Sequence, residues 1–172
     1  MKGVGKLFPD FNLAAVNGNN ELFRVDSEAS MADRWSVIYF YPKDFTFICP
    51  TEIRDFDLVS VNDDTFVLGI SGDNEYCKQA WRESNDLIKD IRHNLAADCG
   101  LQLAEELGIV DKENGVAFRA TYIIDPAGYI QHVSVNALDT GRNAQEVART
   151  LEALKSGGLT GCSWAPGEDF VG

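Results

Sequence analysis

The run Ser36-Val37-Ile38-Tyr39-Phe40-Tyr41 is apolar after its first residue, rich in β-branched and aromatic side chains, and stopped by Pro42. A strand with one wet face would alternate polar and apolar residues, so an unbroken run of this length reads as a strand covered on both faces. Phe66-Val67-Leu68-Gly69-Ile70-Ser71 and Thr121-Tyr122-Ile123-Ile124 repeat the pattern. These three runs are expected to be the central strands of one sheet. Between the first two, residues 51–62 place Ile53, Phe56, Leu58 and Val59 at helical spacing. Residues 74–90 do the same with Tyr76, Ala80, Trp81 and Leu87. Alternation of strand and helix implies parallel pairing with helices packed on the sheet.

Later punctuation is clear. The turn Asp125-Pro126-Ala127-Gly128 leads into the partly alternating Tyr129-Ile130-Gln131-His132-Val133-Ser134-Val135, as in an antiparallel hairpin. A last helix is expected over 143–155, with Asn143 as N-cap, Val147, Leu151 and Leu154 as its apolar stripe, and Gly157-Gly158 as its stop. Near the start, apolar stretches around Phe11 and Leu22 flank Asn17-Gly18, a hairpin signal. The order fits a thioredoxin-like α/β sandwich with a central mixed sheet and an N-terminal hairpin. Residues 1–158 form its single domain. Residues 159–172, rich in Gly, Pro and acids without periodicity, are expected to be an extended C-terminal arm.

The 172-residue length suits one domain with a sizeable core. A net charge of -12, with no basic cluster to set against it, disfavours nucleic acid and anionic membranes as partners. No apolar run approaches the roughly 20 residues needed to cross a bilayer, and Met1-Lys2-Gly3-Val4-Gly5 lacks the apolar core of a secretory signal. A cytoplasmic location is therefore expected.

Four cysteines stand at 49, 77, 99 and 162, with no C-x-x-C pair to suggest zinc or a dithiol motif. His93 and His132 have no ligand-spaced partners and read as structural, and no metal site is expected. Cys49 is singled out by its surroundings. It lies between a buried strand and a helix start, where free N–H groups and the helix dipole favour a negative sulfur. Thr46, three residues earlier, would put a hydroxyl on the same side if the turn is helical. Pro50 would kink the helix and open the sulfur to a small ligand. A thiolate with donors aligned beside it suits displacement at an O–O bond, which needs neither metal nor organic cofactor.

The segment Asp44-Phe45-Thr46-Phe47-Ile48-Cys49-Pro50-Thr51-Glu52, with Pro42 before it, resembles the active-site loop of peroxiredoxins, P-x-x-x-T-x-x-C, and within them the alkyl hydroperoxide reductase C branch. The likeness extends to Leu7-Phe8-Pro9-Asp10-Phe11, Ser71-Gly72-Asp73, Arg119 to Pro126, Gly141-Arg142-Asn143 and the tail holding Trp164. It implies a thiol peroxidase acting on hydrogen peroxide and small organic hydroperoxides. Cys49 would attack, with Thr46, Pro42 and Arg119 as its companions. The position matching Arg119 is one whose guanidinium contacts the sulfur and the peroxide. Glu52 resembles a buried partner that orients arginines, and Arg142 a second arginine of that group. Taken singly, each has a plainer reading: Thr46 a cap, Pro42 a strand stop, Arg119 a surface ion-pair partner, Glu52 a first-turn acid, Trp81 a core aromatic.

A sulfenic acid on Cys49 needs a second thiol before it over-oxidises. Cys162, in the tail, is the candidate, with an auxiliary thiol as the rival role; Cys77 and Cys99 are expected to be silent core thiols, with an extra redox relay as the alternative. Two-cysteine relatives carry the resolving cysteine four residues before the tryptophan, where this chain has Thr160. Its Cys162 lies two residues before Trp164, as in relatives with Cys-x-Cys-x-Trp. The resemblance further implies resolution by a neighbouring subunit in a head-to-tail homodimer, and a decamer of five dimers. The disulfide would be reduced by a protein similar to alkyl hydroperoxidase D, a thioredoxin or a flavoprotein reductase, since no flavin or nicotinamide motif is present. Glu106-Leu107-Gly108-Ile109 stands where over-oxidation-sensitive relatives carry Gly-Gly-Leu-Gly, so resistance to hyperoxidation is expected. A holdase chaperone or structural ring is the alternative from another class, and a thiol-disulfide exchange protein a third.

Overall fold

The computed structural model of the protein describes residues 1–61 and 64–172. The chain opens with the antiparallel pair β1 (Asn12–Val16) and β2 (Leu22–Asp26). Asn17 closes the connection, its side-chain oxygen accepting from the N–H groups of Asn19 and Glu21. A short helix α1 (Ser27–Met31) follows, capped by Asp26. Next come β3 (Trp35–Phe40), α2 (Cys49–Phe56), β4 (Thr65–Ser71), α3 (Glu75–Ser84) and β5 (Asn94–Ala97). Helix α4 (Gln102–Leu107), a small ribbon β6 (Val110–Asp111) and β7 (Val116–Ala117), the hairpin β8 (Arg119–Ile124) and β9 (Ile130–Asn136), and α5 (Ala144–Ser156) complete it.

Seven strands form one mixed sheet in the order β2-β1-β5-β4-β3-β8-β9. β3 pairs parallel with β4, and β4 with β5, while β8 runs antiparallel to β3. The runs read as central strands are therefore central and buried. β5 was not foreseen, because Asn94-Leu95-Ala96-Ala97 is short and alanine-rich; it is buried because β1 and β4 flank it. Among the described residues no helix is long and apolar enough to cross a membrane.

The pleat of β3 sorts the two halves of the core. Ile38 and Phe40 join Phe8, Phe11, Leu103 and Leu107 on the face covered by α4. Val37 and Tyr39 join Cys49, Ile53, Phe56, Trp81, Val147 and Leu151 on the face covered by α2, α3 and α5. The expected α/β sandwich is thus present, and its second face carries the cysteine.

Three expectations need correction. The helix over 51–62 is shorter: α2 ends at Phe56, a 3-10 turn covers Val59–Val61, Leu58 is exposed, and Asn62 lies outside the described residues. The helix over 74–90 ends at Ser84, and of Tyr76, Ala80, Trp81 and Leu87 only Trp81 is buried. The inward face of α3 instead holds Lys78 and Arg82, which find partners there. Arg82 donates through Nη1 and Nη2 to the carbonyls of Asn17, Gly18, Lys89 and Ile91, which pairs the outer nitrogens of a cation that hydropathy would have placed in water, while its buried Nε has no partner among the described residues. The tail 159–172 has no helix or strand, but it is not extended. Trp164 is buried, stacks on Phe170, donates through Nε1 to the Glu168 carbonyl, and is tied by its own carbonyl to Arg149 of α5.

Helix α5 follows its sequence signals closely. Asn143 accepts from the Glu146 N–H at its N-terminus, and Gly157 closes it at φ +68°, a left-handed conformation that glycine adopts without strain.

Candidate active site

Residues 41–48 leave β3 and enter α2, held from below by a buried polar cluster. The Tyr41 hydroxyl donates to Asp44 at 2.7 Å, the Asp44 N–H donates to Asp73 at 2.8 Å, and Lys78 Nζ lies 3.3 Å from Asp44 and 2.5 Å from Ser71 Oγ. Neither side chain of the Lys78–Asp44 pair is exposed. Burial pushes the Asp44 carboxyl above its usual range against the pull of Lys78. Asp44, Asp73 and Cys77 bring three potential metal ligands together, but Lys78 already supplies the cation there.

Above that cluster Cys49 is the first residue of α2 and fully buried. Pro50 falls in the first helical turn, where its missing N–H would have had no partner. The expected kink is therefore not formed. Nor is the turn from Thr46 to Cys49 helical: Thr46 is half-buried and its hydroxyl donates to the Lys43 carbonyl at 2.8 Å. Pro42 is half-buried at the strand exit.

Two arginines from distant parts of the chain close the site. Arg119, first residue of β8, puts Nη1 3.4 Å from Cys49 Sγ and 2.5 Å from Glu52 Oε1, while its Nε donates to the Leu138 carbonyl. Arg142, in the loop before α5, holds both Glu52 oxygens, Nε to Oε2 at 2.6 Å and Nη2 to Oε1 at 3.0 Å, and its backbone N–H also donates to Oε2. Its Nη1 donates to the Ala120 carbonyl. Glu52, one helical turn past Cys49, thus bridges two guanidinium groups in a site where all three side chains are at most 5% exposed. Bidentate, fully bonded pairing of this kind is how a buried carboxylate and arginine are tolerated.

The arrangement brings Cys49, Glu52, Arg119 and Arg142 together, with Thr46 and Pro42 in the adjoining loop. Cys162 is exposed in the tail, beside the buried Trp164. The expectation of silent core thiols does not hold for the other two. Cys99 is exposed, because the α4 start is occupied by Asp98, whose carboxylate accepts from Leu103 and Ala104. Cys77 is half-buried, and its partial burial, with Asp44 and Asp73 nearby, pushes the thiol up to about 11. Lys78 escaped the sequence reading; its signal was a lysine on the same helix face as Trp81 and Arg82.

Comparison with known proteins gives the family. The AhpC/TSA family profile matches residues 4–133. The chain is 37% identical to alkyl hydroperoxide reductase C of Mycolicibacterium smegmatis, over 98% of this chain and 92% of that protein. It is 39% identical to the putative peroxiredoxin YkuU of Bacillus subtilis, over 96% of each. Among solved structures, Enterococcus faecalis AhpC superposes with a TM-score of 0.85 at 34% identity, covering 91% of this chain and 94% of that one. The reduced 2-Cys peroxiredoxin of Plasmodium vivax gives 0.90 at 30% identity, covering 98% and 92%. With a family profile over residues 4–133 and relatives of 37–39% identity over nearly the whole chain, this chain belongs to the AhpC/TSA family.

Proposed function

We propose that the protein is a thiol peroxidase in which Cys49 reduces hydrogen peroxide and small organic hydroperoxides. The observation that carries the reading is the Arg119 guanidinium 3.4 Å from a cysteine sulfur at a helix N-terminus. Both features place positive electrostatic potential beside that sulfur. The thiolate attacks one peroxide oxygen, the O–O bond breaks, and the other oxygen leaves as an alkoxide or hydroxide that takes up a proton. Cys49 becomes a sulfenic acid. Arg119 and the N–H groups of the first turn stabilise charge on the departing oxygen. In this reading Thr46 and Pro42 shape the substrate approach, and since Cys49 has no exposed surface, loop 43–48 must shift to admit peroxide.

Cys162 then attacks the sulfenic sulfur, releasing water and forming a disulfide, which a protein reductant opens with two electrons and two protons. The exposure of Cys162 supports this role. The burial of Cys49 requires the first turn of α2 to loosen before the two sulfurs meet. Partner and assembly complete the proposal: resolution across a head-to-tail homodimer, five dimers in a decamer, and a reductant similar to alkyl hydroperoxidase D, thioredoxin or a flavoprotein reductase. Phe47, 95% exposed, and Phe45, 57% exposed, leave apolar surface beside the site that another copy would cover. A cytoplasmic location belongs to the proposal and rests on the sequence alone. The relatives' names favour peroxidase chemistry over the holdase or structural-ring reading.

Peroxide consumption with dithiothreitol as reductant tests the reading. Cys49→Ser must abolish turnover, and Cys162→Ser, exposed to peroxide without dithiothreitol, must stop at a Cys49 sulfenic acid that dimedone traps. Turnover surviving in Cys49→Ser would overturn it. The disulfide formed after one equivalent of peroxide identifies the resolving thiol.

A further inference from the structure

Beside the arginine pair runs a second chain of hydrogen bonds that the peroxidase reading does not use. Asp57, just past α2, accepts from the backbone N–H groups of Arg92 and His93 and lies 2.8 Å from His93 Nδ1. His93 Nε2 lies 2.7 Å from the Tyr39 hydroxyl. Burial works to raise the Asp57 carboxyl, but the His93 and backbone hydrogen bonds outweigh it and hold Asp57 well below the usual range. An ionised Asp57 places the imidazole proton on Nδ1, so Nε2 accepts from the Tyr39 O–H. Burial pushes Tyr39 well above its ordinary range, so it keeps that proton, and lowers His93, so it stays neutral.

The Tyr39 ring is the other half of the observation. It stacks on Phe56 at 4.1 Å and 6°, and the Arg142 guanidinium sits over both rings, 5.4 Å from Tyr39 and 5.2 Å from Phe56. The hydroxyl occupies space that exists because residue 69 is glycine. A Cβ there would fall 2.5 Å from Tyr39 Oη and 2.6 Å from Cζ. A phenylalanine at 39 would provide the same stacking, so the hydroxyl is accommodated at some cost and its partner is His93.

We propose that Tyr39 is a positioning residue: the Asp57–His93–Tyr39 chain locks the aromatic shelf under Arg142 and so fixes the Arg142–Glu52–Arg119 clamp on Cys49. This rests on the reading of Cys49 as the peroxide-reacting sulfur. Arg142 holds both oxygens of Glu52, and Glu52 shares Oε1 with Arg119, so a tilt of the shelf passes through two guanidinium groups to the sulfur. The charged and titratable groups gathered there are Cys49 and Glu52 from α2, Asp57 just after it, Tyr39 from β3, Arg82 from α3, Arg92 and His93 before β5, Arg119 from β8 and Arg142 from the loop before α5. Partners that orient a reacting group without touching substrate shift activity by roughly 10–100-fold when removed.

The test is a double-mutant cycle of Tyr39→Phe and Arg142→Lys on the full chain. The readout is the single-turnover rate of Cys49 oxidation by hydrogen peroxide across pH, quenched with dimedone and read by mass. Tyr39→Phe alone should slow the reaction roughly tenfold and move its rate–pH profile upward, and should change it less than about twofold in the Arg142→Lys background. Equal slowing in both backgrounds, or an unmoved profile, overturns the proposal. If Tyr39→Phe does not fold, His93→Gln with Tyr39 intact is put through the same cycle and judged by the same outcomes. A wild type whose Cys49 does not react with peroxide overturns both this proposal and the reading beneath it. A reactive wild type with additive substitutions overturns this one alone.

Discussion

The Nη1 of Arg119 stands 3.4 Å from the Sγ of Cys49 while the same nitrogen bonds Glu52. Glu52 keeps its bonds to Arg142 if Arg119 is lost, so Arg119→Gln should fold and act mainly on the sulfur. Its second-order rate with hydrogen peroxide should fall about 100–1,000-fold, the usual cost of one donor to a developing charge. Unfolding free energy should drop by no more than about 3 kcal/mol. Stopped-flow kinetics and urea denaturation check the two parts. A rate loss under tenfold would place catalysis elsewhere.

Lys78 neutralises Asp44 where neither side chain meets water. Lys78→Met should cost about 3–5 kcal/mol at neutral pH, because it leaves a buried carboxylate without its cation. Adding Asp44→Asn should recover part of that loss. Without Lys78, the Asp44 carboxyl, which burial already raises, binds its proton more readily folded than unfolded. The deficit of the single variant should therefore shrink as pH falls through that raised value. Chemical denaturation at several pH values measures this; a deficit indifferent to pH contradicts it.

Acid should weaken the fold in two stages. His93 is lowered by burial, so below the unfolded histidine value of about 6.5 the unfolded chain takes up a proton that the folded chain refuses, and stability declines. Asp57 is held low in the folded state, so its contribution is present above the unfolded aspartate value of about 3.9 and is lost as pH falls toward the folded one. Asp57→Asn should destabilise the protein by about 2–3 kcal/mol at pH 7 and by less near pH 3. Thermal unfolding of both proteins across this range decides it.

Cysteine labelling should separate the thiols outside the site. Cys99 and Cys162 are exposed, whereas Cys77 is raised to about 11 by partial burial and two nearby carboxylates. Iodoacetamide at neutral pH should modify Cys99 and Cys162 first, with Cys77 slower by on the order of a hundredfold. Peptide mapping over time reports the order. Equal rates would mean that the α3 N-terminus opens in solution.

Local pattern was enough to place β3, the β8–β9 hairpin, and α5 with both of its caps. Burial of a strand and capping of a helix are written in neighbouring residues and their periodicity. The same holds for Cys49 at a helix start, because Tyr41 to Glu52 is one continuous segment. The inward face of α3 was not legible: Lys78 and Arg82 look solvated until Asp44 and the carbonyls of Asn17 and Gly18 arrive beside them. Glu52 meets Arg119 across 67 residues and Arg142 across 90, and Asp57 meets His93 across 36. Pairs so far apart leave no periodic trace, since the free energy of a buried charge depends on what the sheet brings next to it. Residue order therefore singled out Cys49 and, through the resemblance, Arg119, Glu52 and Arg142 beside it, whereas only the tertiary packing decided how those charges bond to one another and which aromatic shelf lies under them.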